Sequence, residues 1–288
     1  MISNVDEKFY PFKISQSEMY ALLRCKKQWA YSYVEGLEPV GTPDYLTKGS
    51  FVHALMAKFL ESLQSGKEFN FGEESLNIQR EAILNDEPTV DEPTRQAVVE
   101  QLERFWKEVG TDGFEVVAVE EEFYVNMGVY HDANTVAPLH GIIDAVVRDS
   151  NTGDLWIIEH KTASRAWSTQ QFESSYQGKL YCDAWERLTG ERPIGIQYNF
   201  FYPNRFEIRH QYVSPEESEL LNVELQVIVS MRSQLRNYGL FPREPLWGCN
   251  GCRFRDLCFT ELAGGDDTLL RTSQFTVSDE KKERWKTT

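Results

Sequence analysis

Glu159 and Lys161 close an apolar run, WIIEHKTAS, in which Trp156, Ile157 and Ile158 read as a buried strand. Charged side chains avoid interiors unless they are paired or bound to metal. Alternation along a strand points Glu159 and Lys161 to one face and His160 to the other. Asp144 stands in the middle of a second apolar strand, GIIDAVV, and Ser150-Asn151-Thr152-Gly153 turns the chain from one strand to the next. If Asp144 shares the face of Glu159, two carboxylates converge beside an ammonium. Such a pair suits a hard cation, Mg²⁺ or Mn²⁺. A cation held there lowers the pKa of a bound water and offsets charge on a phosphate, while the lysine orients that water or neutralises the phosphorane. This is what phosphodiester hydrolysis requires. The same residues also fit a plain strand pair, with Asp144 bridged to Lys161 and Glu159 solvated.

A second constellation is Cys249, Cys252 and Cys258, spaced C-x2-C-x5-C, with Cys25 far upstream in LLRCKKQWAY as a candidate fourth thiolate. Four thiolates fit a [4Fe–4S] cluster or a structural zinc; spacing does not separate them, and zinc is the commoner on general grounds. The chain has five cysteines and opens without an apolar signal core, which argues against a disulfide framework. The remaining one, Cys182, reads as packing beside Leu180 and Trp185. Arg24, Lys26, Lys27, Trp29, Tyr31 and Tyr33 interleave charge and rings. That pattern fits single-strand binding, and it equally fits an amphipathic helix with Trp29 and Tyr33 in the core. Arg253 and Arg255 in the cysteine loop, and Lys161, Arg165 and Lys179 near the proposed metal, are further cationic candidates.

The elements that must position these residues follow from periodicity. Helices are expected over about 16–34, from Ser50 onward in SFVHALMAKFLESLQ, over PTRQAVVEQLERFWKEV, from Ser168 to Leu188, and over SPEESELLNVELQVIVSMRSQL. FEVVAVEEEFYV, LHGIIDAVVRD, DLWIIEHKT, IGIQYNFFYP and FEIRHQYV read as strands. Residues 65–93 are polar and weakly periodic, and the stretch 264–288 reads as a polar tail. A net charge of −15 excludes whole-surface nucleic-acid binding but leaves room for a local basic groove or a cation site. No apolar run approaches the roughly 18 residues of a membrane span, so a cytoplasmic location is expected.

Asp144 followed by Glu159-x-Lys161 on the next strand resembles the core of the PD-(D/E)XK nucleases. GSFVHALM resembles the G-x-x-x-H helix of their RecB-like branch, with His53 in the histidine place, and Gln177-Gly178-Lys179-Leu180-Tyr181 resembles its Q-x-x-x-Y signature. One early cysteine and three after the core resemble the iron–sulfur staple of AddB, of the eukaryotic iron–sulfur exonuclease and of the CRISPR-associated adaptation nuclease. The resemblance implies an α/β fold with a central mixed sheet flanked by helices, a helical part at about 15–110, a nuclease core at about 114–238 and the cysteine cluster at 249–258, all in one domain over 1–263. It implies that His53, Asp144, Glu159 and the His160 carbonyl hold Mg²⁺ or Mn²⁺ and that Lys161 positions the attacking water. Gln177 and Tyr181 support the site. Cys25, Cys249, Cys252 and Cys258 hold a [4Fe–4S] cluster, and Arg24, Lys26, Lys27, Arg165 and Lys179 contact DNA. The implied activity is a single-stranded DNA exonuclease acting on free ends in recombination, repair or phage DNA processing, with a protein partner in such a complex. Two other readings stand beside it: a CRISPR-adaptation nuclease trimming DNA before integration, and a catalytically silent interaction module stapled by zinc or a cluster.

Overall fold

β-Branched and aromatic runs pack well on a pleated surface, and the five expected strands all form. In the computed structural model, which describes residues 1–132, 134–244 and 249–278, the chain divides into two compact units. The first comprises residues 1–3, 42–123 and 141–221; the second comprises 4–41, 124–140 and the described part of 222–288. The sheet runs Ile2–Ser3, Phe114–Val125, Leu139–Asp149, Leu155–Thr162, Gly195–Tyr202, Arg205–Tyr212. Ala145 lies opposite Ile158 in an antiparallel pair. Leu155–Thr162 then runs parallel to Gly195–Tyr202, and Arg205–Tyr212 returns antiparallel. The sheet is therefore mixed, with helices against it, an α/β fold. A parallel pair needs a crossover, and the segment between Thr162 and Gly195 supplies it.

In the first unit, helices Asp44–Ser65 and Glu92–Val109 bring Phe51, Val52, Leu55, Phe59, Leu102 and Phe105 onto Ala145, Val147, Ile158 and Phe201 of the sheet. The turn at 150–153 forms as expected: the Asp149 carboxylate accepts from the backbone of Asn151 and Thr152, and Gly153 takes a φ of 79°. The helix expected from Ser50 begins earlier, at Asp44, and contains Gly49. The helix expected over 168–188 is two, Thr169–Glu173 and Gln177–Thr189. The first is fixed by a reciprocal Ser168–Gln171 capping box, which satisfies two orphan amides and sets its start. The weakly periodic stretch holds a helix, Phe71–Leu84, started by Asn70 accepting from Glu73 N.

In the second unit the helix expected over 16–34 breaks at Cys25, whose backbone is extended at φ −164°, ψ 116°. Gln16–Arg24 ends there. Lys26–Trp29 starts afresh and widens into a π-type turn over Ala30–Val34. Arg232, on the helix Pro215–Tyr238, is fully buried; it donates to the carbonyls of Lys13 and Phe12 and meets Glu18, which also accepts from Trp29 Nε1. Removing either partner of such a buried pair costs about 3–5 kcal/mol. Within the stretch expected as a polar tail, residues 268–274 form a helix, and Phe275–Val277 pairs antiparallel with Leu37–Pro39. Residues 279–288 of that stretch lie outside the described residues. Among the described residues no helix is long and apolar enough to cross a membrane.

Candidate metal centre

The hairpin register that sets Ala145 against Ile158 brings Asp144 beside Glu159, one step nearer the open end. Both carboxylates are buried. Asp144 Oδ1 lies 3.2 Å from His53 Nδ1, and Asp144 Oδ2 accepts from the backbone N–H of His160 at 2.7 Å. Lys161 Nζ lies 2.5 Å from Glu159 Oε1. The plain strand pair, Asp144 bridged to Lys161 with Glu159 in solvent, is thus not what forms: Lys161 meets Glu159, and Asp144 meets His53. His53 reaches the sheet because its helix comes close at Gly49, where a Cβ would stand 3.2 Å from Thr162 Oγ1.

The sequence reading missed Glu120. Ligand atoms of His53, Glu120 and Asp144 all lie within 4.8 Å of one another. Glu120 takes a φ of 45° inside its strand, a conformation that non-glycine residues rarely adopt. The signal lay in Glu120-Glu121-Glu122, three successive carboxylates after the apolar run 116–119, where strict alternation has no place for them.

The charges confirm how closely these groups act on one another. Burial pushes the Asp144 carboxyl up, but its hydrogen bond and charge contact with His53 hold it below the ordinary value. Burial raises Glu159, and Asp144 raises it further, against the pull of Lys161. Glu120 rises to about 7 through burial and the Asp144 charge, opposed by His53. Burial alone would lower His53, yet the hydrogen bond to Asp144 and the surrounding carboxylates lift it to about 8. Glu159 Oε2 and Gln177 Oε1 are buried without a hydrogen-bond partner among the described residues. Such atoms are costly, and a divalent cation on Glu159 Oε2 would satisfy it. One imidazole with three carboxylates is a donor set suited to Mg²⁺ or Mn²⁺.

A pH dependence follows. A histidine must lose its proton to ligate metal, and Glu120, raised to about 7, must lose one too, so Mn²⁺ affinity should rise about tenfold per pH unit between about 7 and 8, more steeply below 7, and flatten above 8. The metal-free protein behaves in the opposite sense. His53 is raised above its unfolded value, so its stabilising contribution is full below about pH 6.5 and is lost as pH climbs through 8. Mn²⁺ titrations and thermal melts across this range check both slopes; an Mn²⁺ affinity independent of pH would remove His53 from the ligand set.

His160 faces away from Glu159 and Lys161, as alternation requires. A chain of three hydrogen bonds ends on it. His210 Nε2 lies 3.0 Å from Gln197 Oε1, Gln197 Nε2 donates to Asn199 Oδ1 at 2.9 Å, and Asn199 Nδ2 lies 3.3 Å from His160 Nδ1. Read in that order, each amide donates toward His160, which makes its Nδ1 the acceptor and keeps the ring neutral. Burial agrees, lowering His160 to about 4. The amide chain holds the residue whose backbone N–H fixes Asp144.

Gln177 opens its helix and Tyr181 lies four residues on, both buried. The Tyr181 ring packs edge-on against Phe123, in space that a Cβ at Gly141 would occupy. Burial and the Glu159 and Asp144 charges push the Tyr181 hydroxyl well above its ordinary value, so it stays protonated. Gly178 lets the helix approach the sheet, since a Cβ there would stand 2.4 Å from Ile196 Cγ2.

The other expected contacts separate. Lys179 pairs with Glu217, Lys26 with Glu244 and Lys27 with Glu261. Trp29 and Tyr31 are fully buried, so packing is the reading that holds for these rings. Arg24 lies near enough to Cys252 to lower its thiol against the rise that burial causes. Arg165 is exposed beside a cleft. Cys25, Cys249, Cys252 and Cys258 line one cavity of about 190 Å³ in the second unit, and all are free thiols. Arg243 Nε donates to Cys258 Sγ at 3.2 Å. Cys182 is fully buried in the first unit, its thiol pushed up to about 12 by burial.

Comparison with known proteins adds family evidence to this geometry. No curated protein sequence matches the chain. A solved structure from Eubacterium rectale, named "Putative exonuclease", is 13% identical, covers 91% of this chain and 98% of its own, and superposes with a TM-score of 0.51, a likeness of fold. Another, of SSO0001, is 16% identical over 88% of each chain with a TM-score of 0.41. The sequence itself matches the PD-(D/E)XK nuclease superfamily profile over residues 13–259. With Asp144, Glu159 and Lys161 gathered on adjoining strands within that span, the chain belongs to the PD-(D/E)XK nuclease superfamily.

Proposed function

We propose that the chain is a divalent-metal-dependent DNA nuclease of the RecB-like branch, an exonuclease on single strands or free ends, stapled by a [4Fe–4S] cluster. The observation that carries the reading is the cluster of His53, Asp144, Glu159 and Lys161, with Glu159 Oε2 buried and unpartnered. His53, Asp144, Glu159 and the His160 carbonyl would hold Mg²⁺ or Mn²⁺, with Glu120 a fifth donor. The bound cation supplies a Lewis acid that acidifies water and offsets phosphate charge. Lys161 orients the attacking water and meets charge developing on the phosphorus oxygens. Asp144, held through His160 N–H, keeps His53 oriented. Gln177 and Tyr181 would support the site, Tyr181 with a protonated hydroxyl near the Glu159 and Asp144 charges.

The four cysteines support a cluster over zinc. A single tetrahedral zinc holds its sulfurs about 3.8 Å apart. The four cysteines line one cavity of about 190 Å³, which offers room for a group larger than a single ion. The name carried by the Eubacterium rectale structure favours exonuclease action. We place the activity in the cytoplasm, in DNA recombination, repair or phage DNA processing; co-purification with an integrase would move it to CRISPR adaptation.

The test is cleavage of end-labelled and circular single-stranded DNA with Mg²⁺ and Mn²⁺. The linear strand should shorten while the circle persists; cutting of the circle would make the enzyme an endonuclease. His53→Ala should weaken metal binding and cleavage together. Losing an outer-shell partner costs about 10–100-fold in affinity, so losing a direct ligand should exceed that. A variant that cuts normally would leave His53 as packing.

A further inference from the structure

Most basic residues named so far are already paired with a carboxylate: Lys26, Lys27, Lys161, Lys179 and Arg243 all sit within ion-pair distance of one. Lys48 and Arg165 are different. Neither forms an ion pair with a described residue, and both line one cleft of about 620 Å³ in the first unit, with Trp167. That cleft adjoins a second, of about 770 Å³, which holds His53, Glu120 and Lys161; Tyr45 and Thr162 line both. A continuous groove therefore runs from the metal centre past Tyr45 to Lys48 and Arg165.

Tyr45 is 71% exposed and makes no ring contact with a described residue. It lies in the first turn of the helix that carries His53, eight residues before it, about 12 Å along the axis. Within a chain of net charge −15, an unpaired lysine and arginine flanking an open aromatic ring, in a groove leading to a metal centre, have a defined ligand chemistry. The cations suit phosphates and the ring suits the face of a base. In a duplex those faces are covered by neighbouring base pairs; in a single strand they are free.

The geometry points to Tyr45, Lys48 and Arg165 as a binding track for single-stranded DNA that leads the strand to the metal centre, Tyr45 stacking on a base while Lys48 and Arg165 hold phosphates. This rests on the nuclease reading and adds to it the residues that hold the strand and the side from which it enters.

The test is binding of a fluorescein-labelled oligothymidylate by anisotropy, in EDTA and again with Ca²⁺, beside Mn²⁺ affinity and Mn²⁺-dependent cleavage. Tyr45→Ala should weaken binding roughly tenfold, as the loss of one stacked base does. Lys48→Gln and Arg165→Gln should each weaken it and flatten its salt dependence by about one phosphate contact. Lys67→Gln, which removes an exposed lysine elsewhere, should change nothing. Mn²⁺ affinity should be unaltered throughout. The proposal is overturned, with the nuclease reading intact, if the wild type cuts DNA while these variants bind as tightly as it does. The same holds if the wild type cuts DNA yet binds duplex and not the single strand, or if Lys67→Gln weakens binding equally. A wild type that neither binds nor cuts DNA would remove both readings together.

Discussion

Lys161→Ala is expected to lower cleavage by about a hundredfold or more while the protein still binds Mn²⁺ and DNA. Loss of one preorganised group facing transition-state charge has that size, and an interaction made mainly in the transition state appears in rate and not in binding. Lys161 lies against Glu159 Oε1 and not against Asp144, so its removal leaves a buried carboxylate without its cation. In the metal-free variant this should lower the melting temperature. The cost should be smaller than the roughly 3–5 kcal/mol of a fully buried pair, because Lys161 is a quarter exposed. Added Mn²⁺ should restore the loss, since it takes over the charge of Glu159, and its affinity should equal or exceed the wild type's. Rate, melting and metal titration on one preparation decide the matter. A destabilised variant whose soluble fraction cuts at the wild-type rate would make Glu159-His160-Lys161 a structural strand end.

Cys252→Ser is expected to remove bound iron and most soluble protein, whereas Cys182→Ser leaves both unchanged. Cys252 and Cys258 pack on the small core of Tyr31, Leu37, Phe254, Leu257 and Phe275. A group bound by these cysteines would tie Cys25 to residues 249–258 across that core, and ligand binding of this kind is folding energy. Cys182 lies apart, fully buried with a raised thiol, and its loss removes little beyond a small packed group. Anaerobically purified wild type should be brown with iron and acid-labile sulfide. Colourless protein with stoichiometric zinc would replace the cluster by zinc.

What could be seen in the sequence was what is rare. A carboxylate in the middle of GIIDAVV and another after WII have few explanations, and the period of two then fixes which neighbours share their face. The strands were legible for the same reason, since their apolar faces are continuous. Glu120 was not, because its left-handed backbone breaks the alternation that a reader must assume. The helix Phe71–Leu84 buries little besides Phe71 and Ser75, so it leaves no stripe; its Asn70 cap was the available sign. Cys25 sits in a stretch whose periodicity continues across it, and only the backbone shows the break. The strand Phe275–Val277 depends on a partner 238 residues away in the case of Thr276 and Glu38, which no local pattern encodes.

The pairing of Glu18 with Arg232 also sets a timetable. The two are 214 residues apart, and a ribosome adds about 5–20 residues each second. Glu18 and Trp29 therefore emerge roughly ten to forty seconds before the guanidinium that completes their buried site, and Cys25 waits still longer for Cys249. During that interval the second unit holds only residues 4–41 and 124–140, while nearly all of the first unit is being made. The second unit therefore closes late: residues 4–41 wait for their buried partner on the helix Pro215–Tyr238 until the first unit has been made, and a cluster held by Cys25 and Cys249 would be completed later still.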